Sequence, residues 1–337
     1  MTNYVWLDGV KTQSMRRRFK IFRRILGALL VVLAVIFGPY VISRALSPFR
    51  VVSSYEVTPS FDATPSEPTA PLRVACYNIA HGRGLAPDNW SGGTPNERIQ
   101  RLTDIAELLK TLDADVVVLN EVDFDASWSN HINQAEFLAE AAGYPYVAEQ
   151  RNLDFRMLWR TWKFGNAVLS RHPITHYDVI NSPGFSNTET LLAGKKRGLA
   201  CTIDWYGQGI RILASHLSHR SESLRSRSTD LLIAQPDLPT IIAGDLNSTP
   251  TGFPRSTTSE DHGNAIDKID ASGLFARRPV DPPTDPAELT FHAENPINVI
   301  DWIMITHEFA FQDYRVIDSL LSDHRPIVAD LTLTPPQ

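Results

Sequence analysis

Hydrophobic and polar positions divide the chain into three regimes. Between Ile25 and Ser43 the residues are uncharged and mostly apolar, behind a basic cluster of Arg16, Arg17, Arg18, Lys20, Arg23 and Arg24. At about 1.5 Å of rise per residue such a stretch can cross a bilayer as a helix, and it exceeds the usual apolar core of a cleaved secretory signal. From Ser43 to Pro71 periodicity disappears and Ser, Thr and Pro dominate (VTPSFDATPSEPTAP). This composition predicts an extended linker over 44–71. From Leu72 onward, short apolar runs alternate with helical stripes.

The runs predict strands over 72–80, 115–123, 166–170, 198–205, 210–217, 240–246, 299–306 and 326–333. In NERIQRLTDIAELLKTL (96–112) apolar residues recur at 99, 102, 105, 106, 108, 109 and 112, a helical stripe. Further helices are expected over 131–143, stopped by Gly143, and over 221–235 and 265–273, with a loop over 281–288. Many strands interspersed with helices predict an α/β sandwich, sheets face to face and helices outside. The aromatic segment LDFRMLWRTWKF (153–164) is expected between strands, packed into the core rather than docked on lipid. His219, Arg220, Arg225 and Arg227 are expected on a solvated helix face, and HGRG (81–84) as a glycine-rich turn.

Composition is that of a globular protein, 43% hydrophobic and 21% charged. Charge changes the picture for the part after the linker. Residues 72–337 carry 23 Lys/Arg against 34 Asp/Glu, a net of −11. Nonspecific duplex binding needs a basic face, so this balance disfavours nucleic acid as the partner. The predicted topology is a cytoplasmic segment over 1–24, a single span over 25–43 and an extracytoplasmic domain over 72–337, because the flanking cations precede the span. Cys76 and Cys201 both fall in strand-like runs and read as buried thiols, with a disulfide left open. They lack the companions that a zinc site requires.

Chemistry-bearing residues recur where strands end. Asn78 closes the first strand, Glu121 follows VVVLN, and His216 follows IRILAS. Asp245 and Asn247 follow TIIAG, Asp301 opens WIMIT, and Asp323 and His324 precede the last strand. Gathered at one rim these oxygen-rich groups suit a hard divalent ion, Mg²⁺ or Mn²⁺. A histidine with a carboxylate partner can position or activate water, and a metal can hold a phosphate and absorb developing charge. The combination points to phosphate-ester hydrolysis.

YNIAHG, LNEVD, GNAVLSRHPI, ASHL, GDLNSTP, IDWIMI and SDHRPIV, in that order over about residues 72–333, resemble the endonuclease/exonuclease/phosphatase superfamily. That superfamily includes pancreatic-type deoxyribonucleases, abasic-site endonucleases, inositol polyphosphate 5-phosphatases and neutral sphingomyelinases. The resemblance implies a four-layer α/β/β/α sandwich of two mainly antiparallel sheets, here preceded by one transmembrane helix. It implies Glu121 as the central metal carboxylate, with Asn78 beside it and Asp323 as a further metal-side acid. Asp245 would orient or deprotonate the attacking water, and Asn247 would hydrogen-bond a phosphate oxygen. His324 would contact the scissile phosphate, oriented by Asp301, while His216 would lie near the leaving group. Arg197 falls where many members carry a basic phosphate contact. The expected function is a membrane-anchored, Mg²⁺- or Mn²⁺-dependent phosphoesterase acting on a lipid head group or small organophosphate. The alternatives are an extracytoplasmic nuclease and a catalytically inactive, membrane-displayed binding module.

Overall fold

The structure is a computed structural model that describes residues 5–61, 67–68 and 70–333. Residues 62–66 and 69 of the expected linker, 334–337 of the expected domain and 1–4 lie outside the described residues. Thirteen strands run in chain order: β1 Val52–Glu56, β2 Leu72–Asn78, β3 Val116–Ala126, β4 Tyr146–Met157, β5 Arg160–Ser170, β6 Ile174–Ile180 and β7 Gly198–Trp205. β8 Gln208–Ala214, β9 Thr240–Asp245, β10 Phe275–Arg277, β11 Asp301–Thr306, β12 Phe309–Val316 and β13 Ile327–Leu333 follow. The α-helices are α1 Val5–Leu46, α2 Pro95–Leu112, α3 Gln134–Ala142, α4 Asn187–Ala193, α5 Glu222–Ile233 and α6 Ala265–Ser272.

The strands form a seven-stranded sheet, β1-β4-β5-β3-β2-β13-β12, and a six-stranded sheet, β10-β11-β9-β8-β7-β6. Each contains one parallel pairing, β2 with β3 and β8 with β9, and is otherwise antiparallel. Val74, Cys76, Val116 and Val118 of the first sheet meet Cys201, Ile212, Ile241 and Ile303 of the second in a shared core. On the far face of the first sheet, Ala75, Val117 and Leu119 pack against Ile105 and Leu109 of α2 and Leu138 of α3. On the far face of the second, Ile242, Trp302 and Met304 pack against Leu232 of α5 and Ile266 and Ile269 of α6. The result is the four-layer α/β/β/α sandwich, each buried aliphatic side chain contributing about 1.5–3 kcal/mol.

Local chemistry explains the helix ends. Thr94 caps α2 in a reciprocal capping box with Glu97, and Pro95 occupies the first turn. Gly143, at φ 85°, ends α3, as the helical stripe predicts.

The sequence patterns do not place β4, β6, β10, β12 or α4, and three further regions differ from expectation. The linker predicted over 44–71 contains β1, whose register pairs Val52 with Gln150 and Glu56 with Tyr146. Backbone pairing with β4 and the Tyr55 hydroxyl, which donates to Glu149, join this segment to the sheet edge. In the segment 153–164 Leu153 is buried, but the aromatic residues are not core. The segment forms the end of a hairpin, β4 paired with β5 through Phe155↔Trp162 and Met157↔Arg160, with Phe155, Trp162 and Phe164 half-buried and Trp159 73% exposed. Arg225 is not solvated: it is buried and paired with Glu222 at 2.6 Å.

Candidate active site

Strand directions bring the chemistry to one rim. β2 and β3 are parallel, with Asn78, the last residue of β2, opposite Asn120. β13 is antiparallel to β2, so His324, just before its start, arrives at the same edge. In the second sheet β8 and β9 are parallel, which places His216 and Asp245 side by side. β11 runs antiparallel to β9 with Asp301 opposite Asp245.

A buried amide network ties the two sheets beneath this rim. The Asp245 N–H donates to Asn120 Oδ1 at 2.8 Å, and Asn120 Nδ2 donates to Asn166 Oδ1 at 2.9 Å. Asn166 Nδ2 donates in turn to Gln150 Oε1 at 2.7 Å and to the Arg197 carbonyl at 2.8 Å. Sequence reading did not single out Asn120, Asn166 or Gln150. The one available signal was a polar residue interrupting an apolar strand run, which separately reads as a turn or an edge.

Asp245 is 2% exposed and surrounded by partners. Its Oδ2 accepts from Asn78 Nδ2 at 3.0 Å and lies 3.3 Å from His216 Nε2 and 3.7 Å from His324 Nε2. Its Oδ1 accepts the Asn247 N–H at 2.9 Å. Asp245 and Asn247 do not share one extended strand, since β9 ends at Asp245 and Asn247 adopts φ 49°. A local turn closed by that hydrogen bond brings them together instead. Asn247 Nδ2 donates to the Leu217 carbonyl at 3.2 Å. Burial raises the Asp245 pKa, Asp301 adds to the rise, and His324 works against it; the net shift is upward.

His324 donates through Nδ1 to Asp301 Oδ2 at 2.9 Å. Burial opposes charge on this imidazole, but Asp301 and Asp245 outweigh it and its pKa is raised. His216 is the opposite case. Burial and the Lys196 ammonium, 3.0 Å away, push its pKa well below normal, so this ring is neutral at physiological pH.

Glu121 sits on a bulge in β3, where the register to β5 shifts between Asn120 and Val122, and its φ is 52°. A bulge re-aims a side chain, and a non-glycine residue held at positive φ is a mark of functional constraint. Four cationic or imidazole groups converge on its carboxylate: Arg83 at 3.3 Å, His81 at 3.6 Å, Lys196 at 3.8 Å and His216 at 3.9 Å. Burial pushes this carboxyl up, yet His81, Lys196, His216 and Arg83 together hold it well below the usual range. Arg83 also donates to Asp323 Oδ2 at 2.7 Å, so one guanidinium bridges Glu121 and Asp323.

That bridge marks where positive charge is wanted. Glu121, Asp323 and Asn78 Oδ1 present oxygen donors of the kind a hard divalent cation takes. Asp245, Asp301 and His324 form another group with ligand atoms within 4.8 Å of one another. There the imidazole is committed to Asp301 and itself supplies positive charge, so we read that group as a proton-handling unit rather than an ion site.

Arg197 does not face the rim. Its guanidinium donates to the carbonyls of Arg151 at 3.2 Å and Asn152 at 3.0 Å, and its neighbour Lys196 reaches Glu121 instead. Adjacent residues at a strand entrance point to opposite sides, and the alternation falls on Lys196. His81 is oriented by a second carboxylate, Nδ1 lying 2.7 Å from Asp123, which also accepts from Trp128 Nε1 at 2.7 Å. Asp123, His81 and Arg83 therefore join the site. Their signal in the sequence was only proximity to Asn78 and Glu121.

The endonuclease/exonuclease/phosphatase family model matches residues 75–324. YbhP of Escherichia coli K12 is 28% identical over 158 residues, covering 43% of this chain and 58% of that protein. The chain thus spans less than two thirds of the curated relatives it matches. Among solved structures, an endonuclease/exonuclease/phosphatase from Beutenbergia cavernae superposes with a TM-score of 0.58 at 22% identity, covering 79% of this chain and 72% of that one. A mannosyl-6-phosphatase of Bacteroides thetaiotaomicron gives 0.55 at 18%, covering 78% and 100%. The catalytic domain of human nocturnin gives 0.55 at 17%, covering 85% and 98%. At these identities the superpositions establish the fold.

Proposed function

Since the chain belongs to the endonuclease/exonuclease/phosphatase family, we propose that it is a membrane-anchored, divalent-metal-dependent phosphoesterase whose rim of converging side chains is the hydrolytic centre. The observation that carries this reading is the chain of contacts from Glu121 through His216 and Asp245 to His324, across positions 121 to 324. In this reading Glu121, Asn78 and Asp323 hold Mg²⁺ or Mn²⁺. When bound, the ion polarises the phosphoryl oxygens and offsets the charge that develops there.

The protein's own groups do the rest. Asp245, raised toward neutrality by burial, accepts the proton of the attacking water, which a carboxylate does best when its pKa approaches the working pH. The new P–O bond forms as the bond to the leaving oxygen breaks, and the departing alkoxide takes its proton from solvent water. His324, kept charged by Asp301, faces the phosphate through Nε2, and Asn247 steadies a non-bridging oxygen. His216, neutral and pressed between Lys196 and Asp245, lies on the leaving-group side.

The membrane part of the proposal rests on α1. The stretch Met15–Arg50, which α1 supplies up to Leu46, is long and apolar enough to span a bilayer, and Leu29, Leu30, Val31, Val32 and Val35 are exposed. The helix end also meets the domain. Tyr40 and Phe155 rings lie 5.3 Å apart, and the Arg156 N–H donates to Ser43 Oγ at 3.0 Å. That contact would hold the domain close to the bilayer surface, which favours a lipid head group or small organophosphate. The net charge of −11 on residues 72–337 argues against a nucleic-acid strand.

Turnover of bis(p-nitrophenyl) phosphate by the full chain in detergent tests the reading. We expect hydrolysis, and Asp245→Asn should lower kcat by about 10³-fold or more while the protein stays folded. Near-normal activity in that variant would remove Asp245 from the chemistry.

A further inference from the structure

Next to the rim lies a cavity of ≈ 260 Å³, and Lys196 lines both. Its walls come from the β4–β5 hairpin, the segment carrying α4, and the loop after His216. Phe164, Phe185, Lys195, His219 and Arg220 face into it with Lys196. The charges do not balance. Lys196 is answered by Glu121 at 3.8 Å, and Arg220 by Glu189 at 3.5 Å. Lys195 has no carboxylate partner among the described residues. Burial and the neighbouring Arg197 push its ammonium pKa down, a cost that an incoming anion would relieve.

We propose that this cavity is a subsite for a second anionic group of the substrate. The preferred ester is then a small organophosphate that carries a phosphoryl or carboxyl group beside the scissile one. This inference rests on the rim being the hydrolytic centre. Lys195 and Lys196 both line the cavity, and Lys196 reaches Glu121 at the rim, so a second anion beside the scissile group can meet Lys195. The Phe164 and Phe185 rings supply apolar walls for the carbon skeleton between the two groups. A head group bearing a quaternary ammonium in that position would face Lys195 and Arg220, a like-charge encounter. The cavity therefore selects against phosphocholine esters and for polyanionic ones, free or displayed on a lipid.

The experiment compares kcat/KM of the full chain in detergent for an inositol bisphosphate, an inositol monophosphate, sphingomyelin in mixed micelles and a short oligonucleotide. We expect the bisphosphate to be preferred over the monophosphate about tenfold or more, as one charge-assisted hydrogen bond allows. Lys195→Met should cut that selectivity about tenfold through KM, and Lys195→Arg should restore most of it. Undiminished selectivity in Lys195→Met, or preference for sphingomyelin or the oligonucleotide, overturns the proposal. Matching the soluble head group against its phosphatidylinositol form tells the free from the lipid-borne source. If the wild type hydrolyses none of these esters, the hydrolytic reading has failed, and calorimetric binding still reads the subsite. Tighter binding of the bisphosphate that is lost in Lys195→Met supports it; equal affinity for both phosphates overturns it.

Discussion

At Asp245 the decisive quantity is the cost of charge. The carboxylate is buried beside a second acid, Asp301, and only partly compensated by His324, so its pKa lies above the ordinary carboxylate value of about 4. A general base must be unprotonated to work. Activity should therefore fall as pH falls through that raised pKa, with the acid limb of kcat/KM well above pH 4. A limb at an ordinary carboxylate pKa in the pH–rate profile would contradict the assignment. The same residue scale shows what sequence could and could not supply. Glu121, Asp245 and His324 were legible because each follows or precedes an apolar run that has no use for it. Lys196 was not separated from Arg197, because choosing between neighbours requires knowing which side of the strand entrance faces the rim. Asp123 was hidden for a similar reason: its role exists only once His81 has folded back against it.

Element geometry places these residues, and close approach of backbones is part of that geometry. Gly244, at φ 150°, passes so near β8 that an added Cβ would stand 1.7 Å from the Ser215 carbonyl oxygen. Gly244→Ala should lower stability by about 1–3 kcal/mol and reduce activity, because it displaces both His216 and Asp245. A thermal melt and a turnover assay on the same preparation would check this; an unchanged melt would contradict the packing described. Strands with continuous apolar runs, such as β3 and β9, were readable from the sequence. β1 and the outer halves of β4 and β5 were not. Their alternation is mixed with Ser, Arg and Trp, and their pairing depends on partners far along the chain. The bulge that aims Glu121 likewise leaves no local signature.

For the whole molecule, the layered sandwich followed from the order of strand and helix patterns, whereas the way α1 meets the domain did not. The contacts of Tyr40 with Phe155 and of Ser43 with Arg156 link helix and hairpin across more than a hundred positions. Under the proposed anchoring, basic residues preceding the candidate span predict the domain on the far side of the membrane. A reporter fused after Gln337 should be active only outside the cytoplasm, and cytoplasmic activity would reverse the topology. The central claim is that distant side chains form one metal-dependent hydrolytic rim. Its most direct test is hydrolysis of bis(p-nitrophenyl) phosphate after chelation and titration with Mn²⁺, in the wild type and in Glu121→Gln. Chelation should abolish turnover and Mn²⁺ restore it, with Glu121→Gln requiring about ten- to a hundredfold more metal or failing to recover. Turnover that survives chelation, or identical metal dependence in Glu121→Gln, would contradict the account.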